Sequence, residues 1–441
     1  VQPQPWSRRD TLAILAIVVG AFALRLAFIF SVNVIPVSDF GWYYSHAVQI
    51  AHGAGYIEHG RPTAFWPPGW PYFLAFVVRI FGAEPLGAQI VQAVLNSLTA
   101  GVVFLIARVL AGSLCATIAA AAYALLPSGI EWSATLASEP LFTLLWAAVT
   151  YIWLRYSTAH VGWYALSGVL LGFTSLVRPS ALLLCGVLAL YLLCVPEERR
   201  NALRATRAVL LTALCMVVVI APTLVRNYRV FGTFVLISNN GGVSLYQGNN
   251  PAAGPGYSEL TDPTIARLMS DPRTEVQADR LAEERALAYI RAHPVHVLTL
   301  SLRKIAALYR RDDLAIRFTF RSGHFREAYS PPPTDRVASI FAVVNNVAYG
   351  TLMAFAVFGF FIALTPRMRA QYPGWMLLAG MIVYNTAMYA LVFGIDRYRF
   401  PTMPFFAAFA GLGAAAVIAY MRVPTPLQTS AHKPPHRTHA R

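Results

Sequence analysis

Residues 11–34 read TLAILAIVVGAFALRLAFIFSVNV, an apolar run with one charge, Arg25, and IPVSDFGWYY follows directly at residues 35–44. About 20 helical residues cover the roughly 30 Å of a bilayer's hydrocarbon core, so the run is long enough to cross it. Asp39, set among Phe40, Trp42, Tyr43 and Tyr44, then falls where the chain leaves the apolar layer. The stretch therefore predicts a membrane-spanning helix that delivers a carboxylate and several rings to an interface. Arg8 and Arg9 precede the run as they would in a signal sequence. Its apolar part is too long for an h-region, however, and no small-x-small cleavage site follows, so it is read as the first transmembrane helix.

The rest of the chain has the same character. Hydrophobic residues make up 57% of it and charged residues only 12%, against roughly 25% charged in a soluble domain. Further apolar runs lie at 87–110, 113–128, 137–156, 162–178, 180–195, 208–225, 337–364, 374–394 and 400–421, with Pro179 interrupting one pair. The pattern predicts an all-α polytopic membrane protein of about ten transmembrane helices and excludes an ordinary soluble enzyme. The net charge of +15 is spread among hydrophobic spans, with no compact basic domain and no nucleic-acid motif. It is read as membrane topology plus anionic ligands. Cys115, Cys185, Cys194 and Cys215 all lie in apolar spans without a CxxC, which indicates neither a disulfide framework nor a zinc site.

Ten crossings put both termini on one side. Arg8, Arg9, Arg108, Arg155, Arg204, Arg207, Arg367 and Arg369 all fall there, and the positive-inside rule makes that side cytoplasmic. The other face carries two long segments, about 35–86 and 226–336, so the chemistry is expected to be extracytoplasmic. Within the second segment, 294–309 carries an apolar stripe beside Arg303, Lys304 and Arg310. That spacing fits either a helix in the membrane interface with cations reaching phosphates or a helix packed on the rest of the loop. Residues 423–441 are rich in Pro, His, Lys and Arg and are expected to form a disordered basic cytoplasmic tail, with His432, His436 and His439 solvated rather than metal-bound.

Asp39 is the only Asp of the first long segment. A carboxylate at this boundary suits a general base that takes a proton from an acceptor hydroxyl, and the neighbouring rings suit a sugar face or a prenyl chain. Capping the helix that runs to Ala51 is the alternative. Arg61 is a candidate phosphate contact or a solvated loop arginine. Arg397 and Arg399 sit at the outer end of a span, where a guanidinium can grip a phosphate, unless they pair with Asp396 or lipid headgroups. Arg25 and Arg178 lie in or beside spans, where charge is functional by default. The segment 238–251 is rich in Gly and Asn, which suits tight turns and exposed amides.

Taken together, Asp39 just after the first span, Gly53-Ala54-Gly55-Tyr56, Pro62-Thr63-Ala64 and Pro67-Pro68-Gly69-Trp70-Pro71 resemble the first outer loop of GT-C glycosyltransferases. The closest group is the dolichyl-phosphate-mannose-protein mannosyltransferase-like family, which includes the aminoarabinose transferases. Asn239 to Pro251 and Asp396-Arg397-Tyr398-Arg399-Phe400-Pro401 are similar to later segments of the same family. The resemblance implies a GT-C domain over residues 1–422 with extracytoplasmic juxtamembrane helices. It implies Asp39 as the catalytic acid position, with Glu139 assisting it or holding a cation; a helix-start Glu favoured by the macrodipole is the plainer reading. Tyr43, Arg61, Trp66, Tyr246, Asn249, Arg397, Tyr398 and Arg399 are the expected substrate-binding set. Trp66 stands where many relatives carry Lys or Arg, so either Arg61 or another cation replaces it or phosphate binding is arranged differently here.

The expected function is inverting transfer of a hexosyl or pentosyl sugar from a polyprenyl-phosphate carrier to a lipid, glycan or protein acceptor. The expected setting is a multi-pass protein of a bacterial inner membrane, with no nucleic-acid partner. No nucleotide fingerprint and no DxD pair occurs, so no cofactor is expected and a divalent cation is not implied. A transporter or lipid flippase is the alternative, and it would place polar residues at the bilayer midplane.

Overall fold

The computed structural model describes residues 5–32, 34–156, 160–194, 202–321 and 335–422. The expected basic tail lies outside them. Six described helices are long and apolar enough to cross a membrane: Arg8–Val32, Pro85–Leu125, Ala202–Phe231, Arg336–Ala363, Gly374–Leu391 and Asp396–Met421. Shorter apolar helices occupy Gly69–Phe81, Gly162–Val177 and Pro179–Leu193. The chain is thus an all-helical, multi-pass integral membrane protein. Among the described residues the only strands are the two-residue antiparallel pair Ile57–Glu58 and Arg61–Pro62.

The helices do not confirm a count of ten spans. The expected spans 87–110 and 113–128 correspond to two helices joined end to end over Pro85–Leu125 and meeting at a kink at Gly112, φ +81. Only glycine takes that left-handed conformation without steric cost, so the chain bends there without a loop. At Pro179 the interruption is as expected, with a 3₁₀ turn over Pro179–Leu183 between two apolar helices.

One face of the Pro85–Leu125 helix carries amides at Gln89, Gln92 and Asn96, and these hold the irregular stretch that precedes Glu139. Gln89 Nε2 donates to the carbonyls of Val34 (2.6 Å) and Ala134 (2.9 Å), and Gln92 Nε2 to that of Trp132 (2.6 Å). Asn96 Nδ2 donates to Gly129 O at 2.6 Å, and its oxygen accepts from Tyr123 Oη at 2.8 Å. The short helical turns Pro127–Glu131 and Trp132–Ala134 leave carbonyls that need such internal partners, because lipid offers none.

The bundle has two chemically different ends. At one, Arg108 meets Asp10 at 3.4 Å and Tyr156, next to Arg155, stacks on Trp163 at 4.0 Å. At the other, the long outer segments meet. Glu275 pins them together: its carboxylate accepts from Thr63 Oγ1 (2.7 Å) and Ala64 N (2.7 Å) in the first and from Asn239 Nδ2 (3.0 Å) in the second. The expected Gly/Asn loop is instead a helix over Gly241–Gly248. Two of its glycines serve close approach: a Cβ on Gly242 would collide with Asp279 O and one on Gly248 with Val392 O.

The Pro294–Arg310 helix is amphipathic on both sides. Val297, Leu300, Lys304 and Leu308 are buried, whereas Val295, Leu298 and Leu302 are exposed in a stripe of their own. It therefore both packs on the protein and presents an apolar edge. On the interfacial reading Lys304 would reach outward for phosphate; instead its ammonium is buried and donates to Gly248 O at 2.7 Å.

Burial pushes the Lys304 ammonium down to about 8. Between that value and the ordinary 10.5, the unfolded chain binds a proton that the folded chain has released, so stability rises with pH across this window. Thermal unfolding of wild type and Lys304→Met between pH 7.5 and 10.5 should show this extra rise in wild type only. Parallel curves would contradict it.

Candidate active site

Ser38 opens the Ser38–Ala51 helix at φ +56, a left-handed conformation that costs a non-glycine residue about 1–2 kcal/mol. The cap position is Val37, without a side-chain cap bond. Asp39, in the first turn, does not cap the helix. Its Oδ2 accepts instead from Nη1 of Arg397 at 2.7 Å, with the side chain 17% exposed.

Arg397 comes from the 3₁₀ turn Asp396–Thr402 ahead of the last helix. Its guanidinium lies 4.4 Å from the Phe40 ring centre and holds Glu139 through both Nε and Nη2, the latter at 3.3 Å. Glu139 is the first residue of the Glu139–Tyr156 helix and is fully buried, so the helix-start and site readings hold together. Its Oε1 also accepts from Nη1 of Arg178, the residue that ends the Gly162–Val177 helix. Tyr398 completes the floor, stacked on Tyr389 at 4.5 Å with the Arg178 guanidinium 5.0 Å from its ring centre.

The four charges form one chain, Asp39, Arg397, Glu139 and Arg178, drawn from four separate elements. Two carboxylates and two guanidinium groups balance, which such burial requires, since removing an ion from water costs several kcal/mol unless it is paired. The carboxylates are bridged by a guanidinium rather than turned toward a shared open position. Among the described residues, no group of three or more His, Cys, Asp or Glu side chains is placed to hold a metal ion.

Beside this cluster opens a mostly apolar cavity of about 650 Å³, lined by Leu141, Val177, Phe173, Tyr72, Tyr56 and Arg226 among others. None of the four charged residues lines this cavity, but Leu141 and Val177 of its wall are near neighbours in sequence of Glu139 and Arg178. Arg226 Nη1 donates to Thr63 O at 2.7 Å and Nη2 to Tyr56 O at 3.2 Å. Sequence reasoning missed Arg226 and the cavity. The signal was an arginine and an asparagine placed directly after an apolar run, beside Pro222.

Other expected site residues are distributed differently. Tyr43 is buried one helical turn after Asp39, and Trp66 packs edge-on to it at 5.6 Å between ring centres. Arg399 does not join the site: it bonds Asp312 at 2.6 Å and the carbonyls of Leu308 and Arg311, and lies 3.9 Å from the Tyr349 ring centre. Asp396 pairs with neither arginine side chain; it accepts from the backbone N–H groups of Asp313 (2.9 Å), Leu314 (2.8 Å) and Arg397 (2.7 Å). Asn249 is buried and donates to Leu245 O (2.9 Å) and Leu391 O (2.7 Å). Tyr246 packs against the Val243, Ile265, Ala278 and Ala282 cluster. These two hold the outer segment in place rather than facing the cavity. Arg61 is exposed on the strand pair. Arg25 is buried, with Nη1 donating to Ala21 O (3.0 Å) and Ala124 O (3.1 Å).

Residues 66–225 match the family model described as dolichyl-phosphate-mannose-protein mannosyltransferase. No protein of curated function matches the chain. Among solved structures, the apo oligosaccharyltransferase of Archaeoglobus fulgidus aligns at TM-score 0.57 and 13% identity, covering 93% of this chain and 51% of that one. The archaeal oligosaccharyltransferase AglB from Archaeoglobus fulgidus, in complex with an inhibitory peptide and a dolichol-phosphate, aligns at 0.55 and 14%, covering 94% and 51%. ArnT from Cupriavidus metallidurans, bound to undecaprenyl phosphate, aligns at 0.46 and 13%, covering 92% and 77%. The chain spans about half the length of the archaeal enzymes it matches. The family model thus agrees over residues 66–225 with the resemblance drawn from the loop motifs, and the archaeal structures share the fold of the chain.

Proposed function

We propose that the chain is an inverting glycosyltransferase that moves a sugar from a polyprenyl-phosphate carrier to a lipid, glycan or protein acceptor. The carrying observation is the position of the Asp39–Arg397–Glu139–Arg178 chain at one side of a large apolar cavity. A prenyl chain suits such walls, and its phosphate suits the guanidinium groups at their end.

Asp39 takes the proton of the acceptor hydroxyl as its oxygen attacks the anomeric carbon. The carbon–oxygen bond to phosphate breaks in the same step, and the carrier leaves as polyprenyl phosphate. Arg397 orients Asp39 and, with Arg178, faces the charge that develops on the departing phosphate. Glu139 positions both arginines. Arg226, which lines the cavity, and Arg178, next in sequence to Val177 of its wall, take the place of the cation that Trp66 displaces from the loop, in preference to the exposed Arg61.

The basic short loops gather at the opposite end of the bundle from this site, which favours an extracytoplasmic reaction face and a cytoplasmic N-terminal end. The four linked charges of the site lie at one end of the bundle, with the separate Asp10–Arg108 pair at the other, which disfavours the transporter reading of a polar midplane. The test is label transfer from a panel of polyprenyl-phosphate hexoses and pentoses, with purified protein in lipid vesicles and an envelope extract as acceptor. The expected product carries label with the anomeric configuration inverted. Passage of labelled substrate across the vesicle membrane, without transfer from any donor, would overturn the proposal in favour of transport.

A further inference from the structure

The strap Thr63 to Pro68 separates two differently built spaces. Ala64 and Pro68 line the apolar cavity, whereas Thr63, Phe65 and Trp66 line a second pocket of about 210 Å³ with Trp42, Glu58 and Ser270. We infer that this second pocket is the acceptor subsite and takes a pyranose ring of a glycan or glycolipid, its apolar face on the indoles of Trp42 and Trp66 and a hydroxyl on the Glu58 carboxylate. The inference rests on the transferase reading and narrows its acceptor class.

Three observations carry it. First, the aromatic wall leads to the reacting carboxylate: Trp66 packs on Tyr43 at 5.6 Å between ring centres, and Tyr43 lies four residues after Asp39, on the same helix face. Second, the carboxylate is held in place yet not used up. Glu58 Oε2 meets His46 Nε2 at 2.6 Å, while Oε1 lies 3.7 Å from His59 Nε2, beyond hydrogen-bond reach. His46 is itself fixed, stacked on Trp42 at 3.5 Å between ring centres and bonded through Nδ1 to Trp42 O at 2.8 Å. One assembly therefore orients both an indole face and a carboxylate with a free oxygen. The other acid here, Glu275, is committed to Thr63, Ala64 and Asn239.

Third, the pocket is compact. It falls below the roughly 300–1,000 Å³ of sites that enclose a drug-sized ligand, which suits a single ring better than an extended peptide. Rings of a sugar offer an apolar face to aromatics and hydroxyl donors to a carboxylate, and both are present here. In the transfer step the bound acceptor loses its hydroxyl proton to Asp39, its oxygen gains the bond to the anomeric carbon, and polyprenyl phosphate departs.

The test uses the full chain in lipid nanodiscs, with saturation-transfer NMR to a panel of methyl pyranosides and to an acetylated Ala-Thr-Ala peptide, alongside binding of undecaprenyl phosphate. Two variants probe the pocket: Glu58→Gln, and Ser270→Trp, which fills the space from an exposed position without removing core packing. Loss of a charge-assisted hydrogen bond predicts about tenfold weaker pyranoside binding in Glu58→Gln. Ser270→Trp should abolish it, and both variants should bind undecaprenyl phosphate as wild type does. Pyranoside binding that survives Ser270→Trp overturns the inference, and so does binding of the peptide in place of any pyranoside. If wild type binds undecaprenyl phosphate but no pyranoside, the pocket assignment falls and the transferase stands. If it fails to bind undecaprenyl phosphate at all, the transferase reading falls as well.

Discussion

Arg397→Ala is expected to abolish the proposed sugar transfer and to destabilise the fold by about 3–5 kcal/mol, the usual cost of breaking a buried ion pair from one side. The size follows from what the guanidinium holds. It bonds Asp39 through one nitrogen and Glu139 through two others, with Glu139 fully buried. Without Arg397, Glu139 keeps Arg178 and a long hydrogen bond from Ser138 Oγ at 3.5 Å, and Asp39 loses the group that orients it. Arg397→Lys keeps the charge but not the planar fork, so a single ammonium cannot reach both carboxylates in the same way. It is expected to recover much of the stability and little of the rate. Turnover and thermal unfolding measured on the same purified samples separate the two effects. A lysine variant with wild-type turnover would show that charge alone, without bridging, is what the site needs.

Asp39→Asn is expected to behave oppositely, with a large loss of rate and a small loss of stability. Removing a general base lowers turnover by about 10²–10⁴-fold. The amide keeps the shape of the carboxylate and gives up one charge-assisted hydrogen bond at a partly exposed position, worth about 1.5–3 kcal/mol at most. Steady-state transfer at saturating donor, with unfolding as the control, checks it. Transfer at the wild-type rate would make Asp39 a structural partner of Arg397 and move the search for the base elsewhere.

The membrane-spanning frame was legible because hydropathy over about 20 residues is a strong signal. Asp39 was legible because it is the first carboxylate beyond such a run, and Arg397 because it precedes another. Arg399 was not separable from Arg397 by sequence. Two residues apart in a 3₁₀ turn, they point to different neighbours, one to Asp39 and Glu139, the other to Asp312. Periodicity carries no information about which is which. The Glu275 clasp was equally invisible, since Thr63 lies 212 residues away. The glycines of Gly241–Gly248 were assigned to turns because composition reports permissiveness in φ and is blind to a backbone approaching from Val392. Cavity walls assembled from Tyr56, Leu141, Phe173 and Arg226 belong to tertiary structure alone.

The amides of Gln89, Gln92 and Asn96 grip the stretch before Glu139 through its carbonyl oxygens. Every residue type supplies that oxygen. The path of the stretch is thus written in large part in a neighbouring helix, while Glu131, Trp132 and Ser133 add side-chain contacts of their own to Asn345, Phe40 and Asn96. Substitution at Gln89, Gln92 or Asn96 should accordingly disturb the delivery of Glu139 from a helix that supplies none of the four linked charges.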